Sequence, residues 1–323
     1  SAVMFAPKMS ADKALAFDTS NYTTSAATLT VSGEVFNSKK LLPVESGKRG
    51  LRQSDAVFAH TKQLYDVFQS LDPSGIEAVG VSTRPRSVEG SYMPCFLVGK
   101  NVGHIVAKTL GVPVYEFSHQ QGHIAAGIFS CGKKELLNGG FYAFHLSGGT
   151  MELAEVESMD KIRIVAETDD LTAGQLIDRC GVRLGLGFPS GAELEKLARD
   201  GTSPRKPKVV FKNGKCSLSG FENIAEKMIS DGVSPCDTAA FVFESVYKNI
   251  ETMTDYAVRE YGEKPVLFVG GVMSNALMRP RLEARYESYF AEPSLSSDNA
   301  VGTAYLTLAA ANGDIDIFSP AAE

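Results

Sequence analysis

Two apolar segments flank a glycine-rich turn in FYAFHLSGGTMELAEVES, residues 141–158. The segments on both sides of the turn SGGT at 147–150 predict two β-strands that it joins. A similar stretch near the start of the chain, KALAFDTSNYTTSAATLTV at 13–31, also predicts a β-hairpin with a polar turn. Each half of the chain therefore begins with the same kind of hairpin.

The elements after each hairpin repeat as well. Helical spacing of apolar residues and short apolar runs predict the same alternation of strands and helices in both halves. The predicted strands are at 77–82, 112–117, 162–167, 265–272 and 288–292, and the predicted helices are at 54–71, 96–111, 171–184 and 299–313. Two copies of a β-β-β-α-β-α unit resemble the plan of the actin-like ATPase superfamily, the ribonuclease-H-like group that includes sugar kinases, Hsp70 and actin.

We therefore expect an α/β fold of two lobes. The amino-terminal lobe is predicted to span 1–133 and the carboxy-terminal lobe 134–323, with an insertion at about 186–220. The length of 323 residues suits two domains of ordinary size.

The composition excludes several classes of protein. A net charge of −6 gives no overall positive field that would draw the chain to nucleic acid or anionic lipid, so any nucleic-acid contact would be local. No apolar run approaches the length of a membrane helix, and the first residues lack the pattern of a signal peptide, so we expect no membrane contact. Five cysteines without a C-x-x-C pair argue against a disulfide framework or a thiolate zinc site, and indicate the reducing cytoplasm.

Two histidines stand four residues apart in SHQQGHIAAG, which begins at Ser118. Ser118 and Gln121 form a capping-box pattern, which predicts that a helix begins at His119. His119 and His123 would then lie one turn apart on the same face, where two imidazoles can share one ion. Gly122 between them indicates that another part of the fold approaches closely. The spacing by itself also fits two polar residues at a helix start.

His145 and Asp298 are further candidates for such a metal site. His145 precedes the SGGT turn and Asp298 precedes the last predicted helix, so both are expected at junctions that line a central cleft. Imidazole and carboxylate ligands suit Fe or Zn better than Mg or Ca. The alternative for His145 is a half-buried strand residue. A protease of the H-E-x-x-H type is excluded, because Gln120 replaces the Glu that serves as its general base.

Polar and glycine-rich turns stand where a fold of this kind binds nucleotide. DTSN at 18–21 and SGGT occupy the two hairpin turns, whose backbone N–H groups can wrap phosphate. Asp18 is placed to hold a metal-bound water or a polar ligand. GGVMSN at 270–275 is the expected loop beside adenosine, with Asn275 available to hydrogen-bond, and Asp178 suits ribose hydroxyls. Each turn alone is also compatible with an ordinary β-turn.

Seven pieces of the sequence occur together in one known family. They lie between about residues 14 and 312 and read FDTSNYTTSAA, VPVYEFSHQQGHIAAG, HLSGGTMEL, ETDDLTAGQLIDRCGVRLGLGFPSGAELEKLA, SLSG, FVGGVMSN and SSDNAVGTA. With these pieces the chain resembles the threonylcarbamoyl transferases that modify adenosine in tRNA, formerly named O-sialoglycoprotein endopeptidases or glycoproteases.

The resemblance implies an actin-like fold that binds an adenylate and one divalent metal ion, Fe or Zn. The metal would be held by His119, His123 and Asp298, and His145 stands where some members have a tyrosine ligand. The residues implied in binding substrate or nucleotide are Asp18, Ser20, Leu146, Ser147, Gly148, Gly149, Thr150, Asp178, Gly191, Gly270, Gly271 and Asn275.

The resemblance also implies a reaction and its partners. A threonylcarbamoyl group would pass from its adenylate to N6 of an adenosine in tRNA, with the metal as a Lewis acid and backbone N–H groups stabilising the leaving adenylate. The implied ligands are an adenine nucleotide (ATP or threonylcarbamoyl-adenylate) and tRNA. A smaller paralogous subunit is the implied protein partner.

Several residues depart from the family pattern around the expected cleft. STRPRSVEGSYMPCF at 82–96 replaces a Gly-Pro-Gly loop, and GLRQSDAVFAH replaces a Glu-rich helix motif. Thr150 replaces the His that follows S-G-G, and Gln175 replaces the Glu of a G-E-x-x-D segment. Arg84 and Arg86 of the altered loop either contact phosphate or are solvated. These changes indicate a divergent paralogue.

Two other functions stay open from the sequence. The departures favour a non-catalytic subunit that senses nucleotide or assists assembly. A small-molecule kinase of the same superfamily would need an Asp shortly after the second phosphate turn, where the chain has Glu152.

The predicted insertion contains the basic segment PRKPKVVFKNGK at 204–215. Its five basic residues predict either a stripe that contacts an RNA backbone or an exposed β-hairpin with charged faces.

Overall fold

The computed structural model describes residues 10–20, 22–43, 52–88 and 90–315. Parts of the segments considered above lie outside the described residues: the amino-terminal residues 1–9, Asn21 of the DTSN turn, Gly50 and Leu51 of GLRQSDAVFAH, and Glu89 of the altered loop.

The described residues pack into two compact units. The first unit comprises the described parts of Ser1–Gly139 and Ser294–Glu323 together with Ser158–Lys161, and the second comprises Gly140–Glu157 and Ile162–Pro293. Each unit contains one β-sheet with helices packed on it. The predicted lobe boundaries and the predicted insertion stay predictions.

Two β-sheets form from twelve strands within the described residues. The strands are β1 (Lys13–Asp18), β2 (Thr23–Thr30), β3 (Val35–Leu41), β4 (Ala78–Arg84), β5 (Val114–Ser118), β6 (Phe141–Leu146), β7 (Met151–Ser158), β8 (Lys161–Thr168), β9 (Val210–Lys212), β10 (Lys215–Ser217), β11 (Val266–Val269) and β12 (Ser288–Phe290). The first sheet has the order β3-β2-β1-β4-β5 and the second β12-β11-β6-β7-β8-β10-β9. In each sheet an antiparallel hairpin, β1–β2 or β6–β7, adjoins a parallel strand, β4 or β11. Both predicted hairpins and the α/β class are confirmed.

Nine α-helices occur in the described residues. They are α1 (Gln53–Phe68), α2 (Phe96–Leu110), α3 (His119–Cys131), α4 (Ala173–Arg183), α5 (Gly191–Arg199), α6 (Ser219–Ser230), α7 (Pro235–Tyr261), α8 (Arg279–Glu283) and α9 (Val301–Ala311). Gly111 ends α2 in the left-handed conformation, which confirms the predicted stop. The predictions above include none of α5, α6, α7 and α8. Among the described helices, none combines the length and apolar character needed to cross a bilayer.

Helices α3 and α9 cross in close contact within the first unit. A Cβ atom on Gly302 of α9 would lie 1.7 Å from the carbonyl oxygen of Gly122 on α3, and one on Gly122 would lie 2.9 Å from Oγ1 of Thr303. The two glycines therefore let the helix backbones meet, and the close approach predicted at Gly122 is confirmed. Because α3 carries the histidine pair and α9 follows Asp298, this crossing positions candidate metal ligands.

An apolar core lies between the sheet and the helices of the second unit. Phe144, Phe268 and Phe290 stack on neighbouring strands, with ring centroids 6.0 and 5.0 Å apart. This core fixes the carboxyl ends of the parallel strands β6 and β11, from which the SGGT turn and the loop at Gly270 emerge.

Candidate functional site

Three predicted metal ligands lie together in the first unit. Ser118 accepts a hydrogen bond from the amide of Gln121, and the Gln121 side chain accepts one from the amide of Ser118, so α3 begins at His119 as predicted. One ring nitrogen each of His119 and His123 and a carboxylate oxygen of Asp298 all lie within 4.8 Å of one another.

One carboxylate oxygen of Asp298 faces both imidazole rings. Its Oδ1 lies 2.9 Å from Nε2 of His123 and 3.4 Å from Nε2 of His119. Thr23 donates to the other oxygen, Oδ2, at 3.4 Å. The two histidine side chains are 12% and 13% exposed and that of Asp298 is 28% exposed, so a ligand reaches the cluster mainly past the carboxylate.

Asp18 orients His119 through the other ring nitrogen. Its Oδ2 lies 2.8 Å from Nδ1 of His119 and accepts a hydrogen bond from the Ser82 hydroxyl at 2.6 Å. The amide of Ser20 donates to Oδ1 at 2.9 Å, and the Ser20 hydroxyl lies 3.5 Å from Nε2 of His119. A carboxylate can only accept, so Nδ1 donates and Nε2 is directed towards Asp298. Such a carboxylate partner fixes the orientation of histidines that bind metals.

The charges of the cluster shift the pKa values of its members. Burial opposes the charged form of Asp18, but attraction to His119 and hydrogen bonds from its neighbours outweigh burial and lower the pKa. Burial likewise opposes ionisation of Asp298, and hydrogen bonds from both histidines lower its pKa. Burial lowers the pKa of His119, but the two carboxylates outweigh it and raise the pKa to about 10. His119 is therefore a cation held between two anions, a place where a metal ion can replace the Nε2 proton.

The donor atoms of the cluster fit a borderline divalent metal. Two imidazole nitrogens and one carboxylate oxygen are ligands that Fe and Zn accept, and Asp18 supplies the orienting partner that such sites use. Three protein ligands leave coordination positions for substrate or water, as in catalytic zinc sites. The residues fit the predicted metal, and its binding stays a prediction.

His145 lies on β6 of the second unit. It is half buried, opposite Glu152 of β7 and beside Val269 of β11. This placement agrees with the alternative of a half-buried strand residue. Its role as a metal ligand stays a prediction.

A cavity of about 490 Å³ lies in the second unit. Five of the predicted binding residues line it: Gly148, Asp178, Gly191, Gly271 and Asn275. Gly148 and Gly271 follow the carboxyl ends of β6 and β11, the edge at which open α/β sheets bind their ligands. The volume lies within the range of roughly 300–1,000 Å³ that small-molecule sites occupy.

Hydrogen bonds hold the two polar predicted residues of this cavity in place. Oδ1 of Asp178 accepts from the amide of Ser190 at 2.8 Å, and no donor among the described residues reaches its Oδ2. The Asn275 side chain accepts from two backbone amides, both at 3.0 Å, and donates to Glu195 at 2.9 Å. Oδ2 of Asp178 is therefore able to accept a hydrogen bond from a ligand hydroxyl.

The SGGT turn is closed by its own serine. Oγ of Ser147 accepts from the amides of Gly149 and Thr150 at 3.3 and 3.0 Å, and the amide of Ser147 donates to the carbonyl of Thr150 at 2.8 Å. The Thr172 hydroxyl donates to the carbonyl of Gly148 at 3.0 Å and ties the turn to α4. These bonds fix the shape of the turn, and its contact with phosphate stays a prediction.

Two glycines allow other backbone segments to pack closely against the SGGT turn and the end of β6. A Cβ atom on Gly174 of α4 would lie 2.6 Å from the carbonyl oxygen of Ser147. Gly270 has a φ of 103°, and a Cβ atom there would lie 2.0 Å from the carbonyl oxygen of Leu146, whose side chain is buried. Gly270 and Leu146 thus pack the strand ends, and their roles in binding substrate stay predictions.

Eight other residues line the cavity and are not among the predicted binding residues; Gly174, Glu195 and Phe243 are three of them. Glu195 accepts hydrogen bonds from Asn275 and, at 2.7 Å, from Arg199. It belongs to the quoted segment GAELEKLA, but a glutamate in an amphipathic helix carries no signal that separates a cavity residue from an exposed one. Phe243 lies on α7, which is not predicted.

One departure from the family pattern has a clear structural role. The side chain of Gln175 accepts from the amide of Thr172 at 3.1 Å, and the amide of Gln175 donates to Oγ1 of Thr172 at 3.1 Å. A Glu would close the same capping box, so this change preserves the start of α4. Arg84 donates to the Thr83 hydroxyl at 3.0 Å. Contact of Arg84 or Arg86 with phosphate stays a prediction.

Solved structures of the same fold define the class of protein. HypF from T. kodakarensis matches with a TM-score of 0.62 at 15% identity, over 94% of this chain and 48% of that chain, so this chain spans about half its length. Component A of (R)-2-hydroxyglutaryl-CoA dehydratase from Acidaminococcus fermentans matches with a TM-score of 0.54 at 15% identity, over 93% of this chain and 98% of that chain. These likenesses concern the fold alone, and they confirm the predicted actin-like ATPase fold.

Sequence comparisons give the family. The family model TsaD, tRNA N6-adenosine threonylcarbamoyltransferase, matches residues 59–305. The tRNA N6-adenosine threonylcarbamoyltransferase of Methanopyrus kandleri is 25% identical over 283 residues, which cover 86% of this chain and 81% of that protein. The chain belongs to the tRNA N6-adenosine threonylcarbamoyltransferase family, which confirms the resemblance read from the sequence.

Proposed function

We propose that this chain transfers a threonylcarbamoyl group from its adenylate to N6 of an adenosine in tRNA. Family membership supports a transferase with a tRNA substrate. The observation that carries the proposal is the convergence of His119, His123 and Asp298, with Asp18 as the orienting carboxylate. Gln120 lacks the basic carboxylate that a protease of the H-E-x-x-H type needs, so hydrolysis of peptides is not part of the proposal.

The proposed metal ion, Fe or Zn, is held by His119, His123 and Asp298. When bound, it would act as a Lewis acid on an oxygen of the carbamoyl or phosphate group. Asp18 keeps the proton of His119 on Nδ1 and so leaves Nε2 as a ligand atom. His145 is retained from the sequence analysis as a candidate fourth ligand.

The adenylate is proposed to bind in the cavity of the second unit. Oδ2 of Asp178 would accept from a ribose hydroxyl, and the loop of Gly271 and Asn275 would lie beside adenosine. Backbone N–H groups near Gly148 would stabilise the negative charge that develops on the leaving adenylate. The other residues retained in the proposal are Ser20, Leu146, Ser147, Gly149, Thr150, Gly191 and Gly270.

The proposal includes the partners and compartment implied by the sequence. All five cysteines lie in described residues and none is in a disulfide, which agrees with the reducing cytoplasm. A smaller paralogous subunit is proposed as the protein partner.

A non-catalytic subunit that binds adenylate is the second candidate. The observation that favours it is Thr150 in place of the His that follows S-G-G in the family pattern. A kinase is disfavoured, because Glu152 stands where the catalytic Asp is required.

The test combines metal content with transfer activity. The purified chain is analysed by inductively coupled plasma mass spectrometry, then incubated with threonylcarbamoyl-adenylate and an unmodified tRNA transcript. Modified adenosine is measured by mass spectrometry of the nucleosides. We expect bound Fe or Zn and a modified nucleoside, and H123A and D298N should lose the metal and lower transfer by at least about 100-fold, because even orienting partners of metal ligands contribute 10–100-fold.

His104→Ala is the matched control. His104 lies on α2, 38% exposed and 2.7 Å from Glu116, so its loss should change neither metal content nor transfer. If the chain binds the adenylate but forms no modified nucleoside, the proposed transferase activity is contradicted and the non-catalytic subunit becomes the supported function. Metal retained at wild-type level in both H123A and D298N would overturn the metal site.

A further inference from the structure

The basic segment of the second unit exposes every second residue from Lys206 to Lys212. Lys206, Lys208, Val210 and Lys212 are exposed, whereas the residues between them are half buried. This alternation of exposure places the three lysines on the solvent side of the segment. We call Lys206, Lys208 and Lys212 the lysine row.

The lysine row carries positive charge that the protein does not neutralise. The segment 204–215 contains five basic residues and no acidic one. Lys215, on the paired strand β10, forms an ion pair with Glu167 of β8. Among the described residues, no carboxylate pairs with any lysine of the row. The row is therefore a local cationic strip on a chain of net charge −6.

The hairpin that bears Lys212 and follows the other two lysines of the row is firmly anchored. Asn213 and Gly214 both have positive φ, 52° and 76°, which is the conformation of a tight two-residue hairpin turn. A Cβ atom on Gly214 would lie 2.8 Å from the carbonyl oxygen of Val165, so the turn lies directly on β8. On the inner face, Phe211 meets Tyr256 of α7 edge to face, with ring centroids 5.0 Å apart. These contacts fix the position of Lys212, at the end of the row.

We propose that the lysine row binds the phosphate backbone of an RNA strand. The inference rests on the proposed function, which makes tRNA the substrate, and adds the surface that holds it. A row of cations exposed on one side of the segment suits the succession of phosphates along a strand, and point-like ammonium groups bind phosphate without reading sequence. Contacts of this kind position an RNA and carry no base specificity.

Edge protection is the competing explanation of the row. β9 is the last strand of its sheet, and lysines on an edge strand discourage pairing with other chains. Lys206 and Lys208 precede the strand, however, where there is no ladder to protect. An anionic membrane is the other possible ligand, and the test below includes it.

The experiment measures tRNA binding against salt concentration for the full chain and two triple variants. K206Q/K208Q/K212Q removes the row. K62Q/K108Q/K227Q removes the same charge from exposed lysines of α1, α2 and α6 and is the matched control. Binding of an unmodified tRNA transcript is followed by fluorescence anisotropy. Each phosphate contact contributes about 0.7–0.9 to the slope of log K against log salt, so the row variant should lower the slope by about 2 to 3 and the control by less than 1.

The outcomes separate this inference from the proposed function. Equal slopes for the row variant and the control would overturn the inference, and so would absence of tRNA binding by the unaltered chain. Loss of binding to phosphatidylserine vesicles in the row variant, with tRNA binding unchanged, would also overturn it in favour of a membrane. If tRNA binding depends on the row but no modified nucleoside forms, the inference is supported and the proposed transferase activity is rejected. Equal melting temperatures of both variants exclude misfolding as the cause.

Discussion

His119 of the first unit is held between two carboxylates, whereas the cavity of the second unit is lined largely by glycine and apolar residues. The first site consists of charged side chains whose mutual attraction shifts their pKa values. The second consists of backbone segments that meet closely, as at Gly174 and Gly270. Substitutions that remove a charge should therefore affect the first site most. Substitutions that add volume where backbone segments meet should affect the second site most.

Both sites nevertheless depend on glycine for their position. The histidines and Asp298 meet because α3 and α9 touch at Gly122 and Gly302. The cavity keeps its wall because α4 touches the SGGT turn at Gly174. The comparison therefore predicts that a single methyl group can damage either site without touching a ligand atom.

The largest effect is expected for Gly302→Ala. The added Cβ would lie 1.7 Å from the Gly122 carbonyl oxygen and 2.6 Å from the amide nitrogen of Ala126, so α3 and α9 must separate. We expect the free energy of unfolding to fall by about 3 kcal/mol, the upper part of the range for overpacking. Bound metal should be lost as well, because Asp298 moves with α9. Denaturant unfolding and metal analysis of the purified variant measure both.

Gly220→Ala is the control for this prediction. Gly220 lies in the first turn of α6, and a Cβ atom there would meet nothing within 4 Å. Its metal content should match that of the unaltered chain, and its free energy of unfolding should be equal or higher by up to about 1 kcal/mol, because Ala favours the helix over Gly. A G302A variant that keeps its metal would show that the α3–α9 crossing does not position Asp298.

A smaller effect, confined to the second unit, is expected for Gly174→Ala. The added Cβ would lie 2.6 Å from the carbonyl oxygen of Ser147 and 2.7 Å from Cα of Gly148, so the SGGT turn must shift. ATP affinity should fall about tenfold, which corresponds to about 1.4 kcal/mol and lies within the range for overpacking. Isothermal titration calorimetry measures the affinity. Metal content should stay unchanged.

Gly220→Ala again serves as control, because both glycines are the second residue of their helices. If G174A binds ATP as tightly as G220A does, the cavity is not the nucleotide site. If G174A loses its metal, the expectation that the metal site is independent of the cavity is wrong.

The smallest effect is expected at Asp170, a charged residue of the second unit outside the cavity. Burial opposes ionisation of Asp170, but hydrogen bonds from Ser217, Ser219 and the amide of Leu218 outweigh it and lower the pKa. A lowered pKa means that the carboxylate stabilises the fold above the ordinary Asp pKa of about 4 and that this stabilisation is lost as the pH falls through the folded-state value. Asp170→Asn should therefore lower the free energy of unfolding by about 1 kcal/mol at pH 7, because hydrogen bonds to a charged group contribute about 1.5–3 kcal/mol and solvent screens this exposed carboxylate.

The difference from the unaltered chain should shrink as the pH falls below about 4. Denaturant unfolding over a series of pH values measures this. Asp169→Asn is the control, since Asp169 is exposed and no hydrogen bond to its side chain occurs among the described residues. An identical pH profile for D170N and the unaltered chain would contradict the prediction.

The features that the sequence predicts correctly are those set by neighbouring residues. The hairpins, the capping box of Ser118 and Gln121, and the stop at Gly111 depend on side chains and turns a few residues apart. The shared helix face of His119 and His123 is equally local, because it follows from the helical repeat. Helices α6 and α7 were missed although Ser234 and Pro235 at the start of α7 are a helix-start signal.

The sequence by itself determined the two hairpins, the family and the pair of histidines on one helix face. Only the tertiary structure decided that Asp18, 101 residues from His119, holds its ring, and that Asp298, 175 residues from His123, faces both imidazoles. Local periodicity fixes which residues share a face, but a contact between distant residues depends on the packing of whole helices. Here that packing rests on two glycines, Gly122 and Gly302, whose missing side chains let α3 and α9 meet.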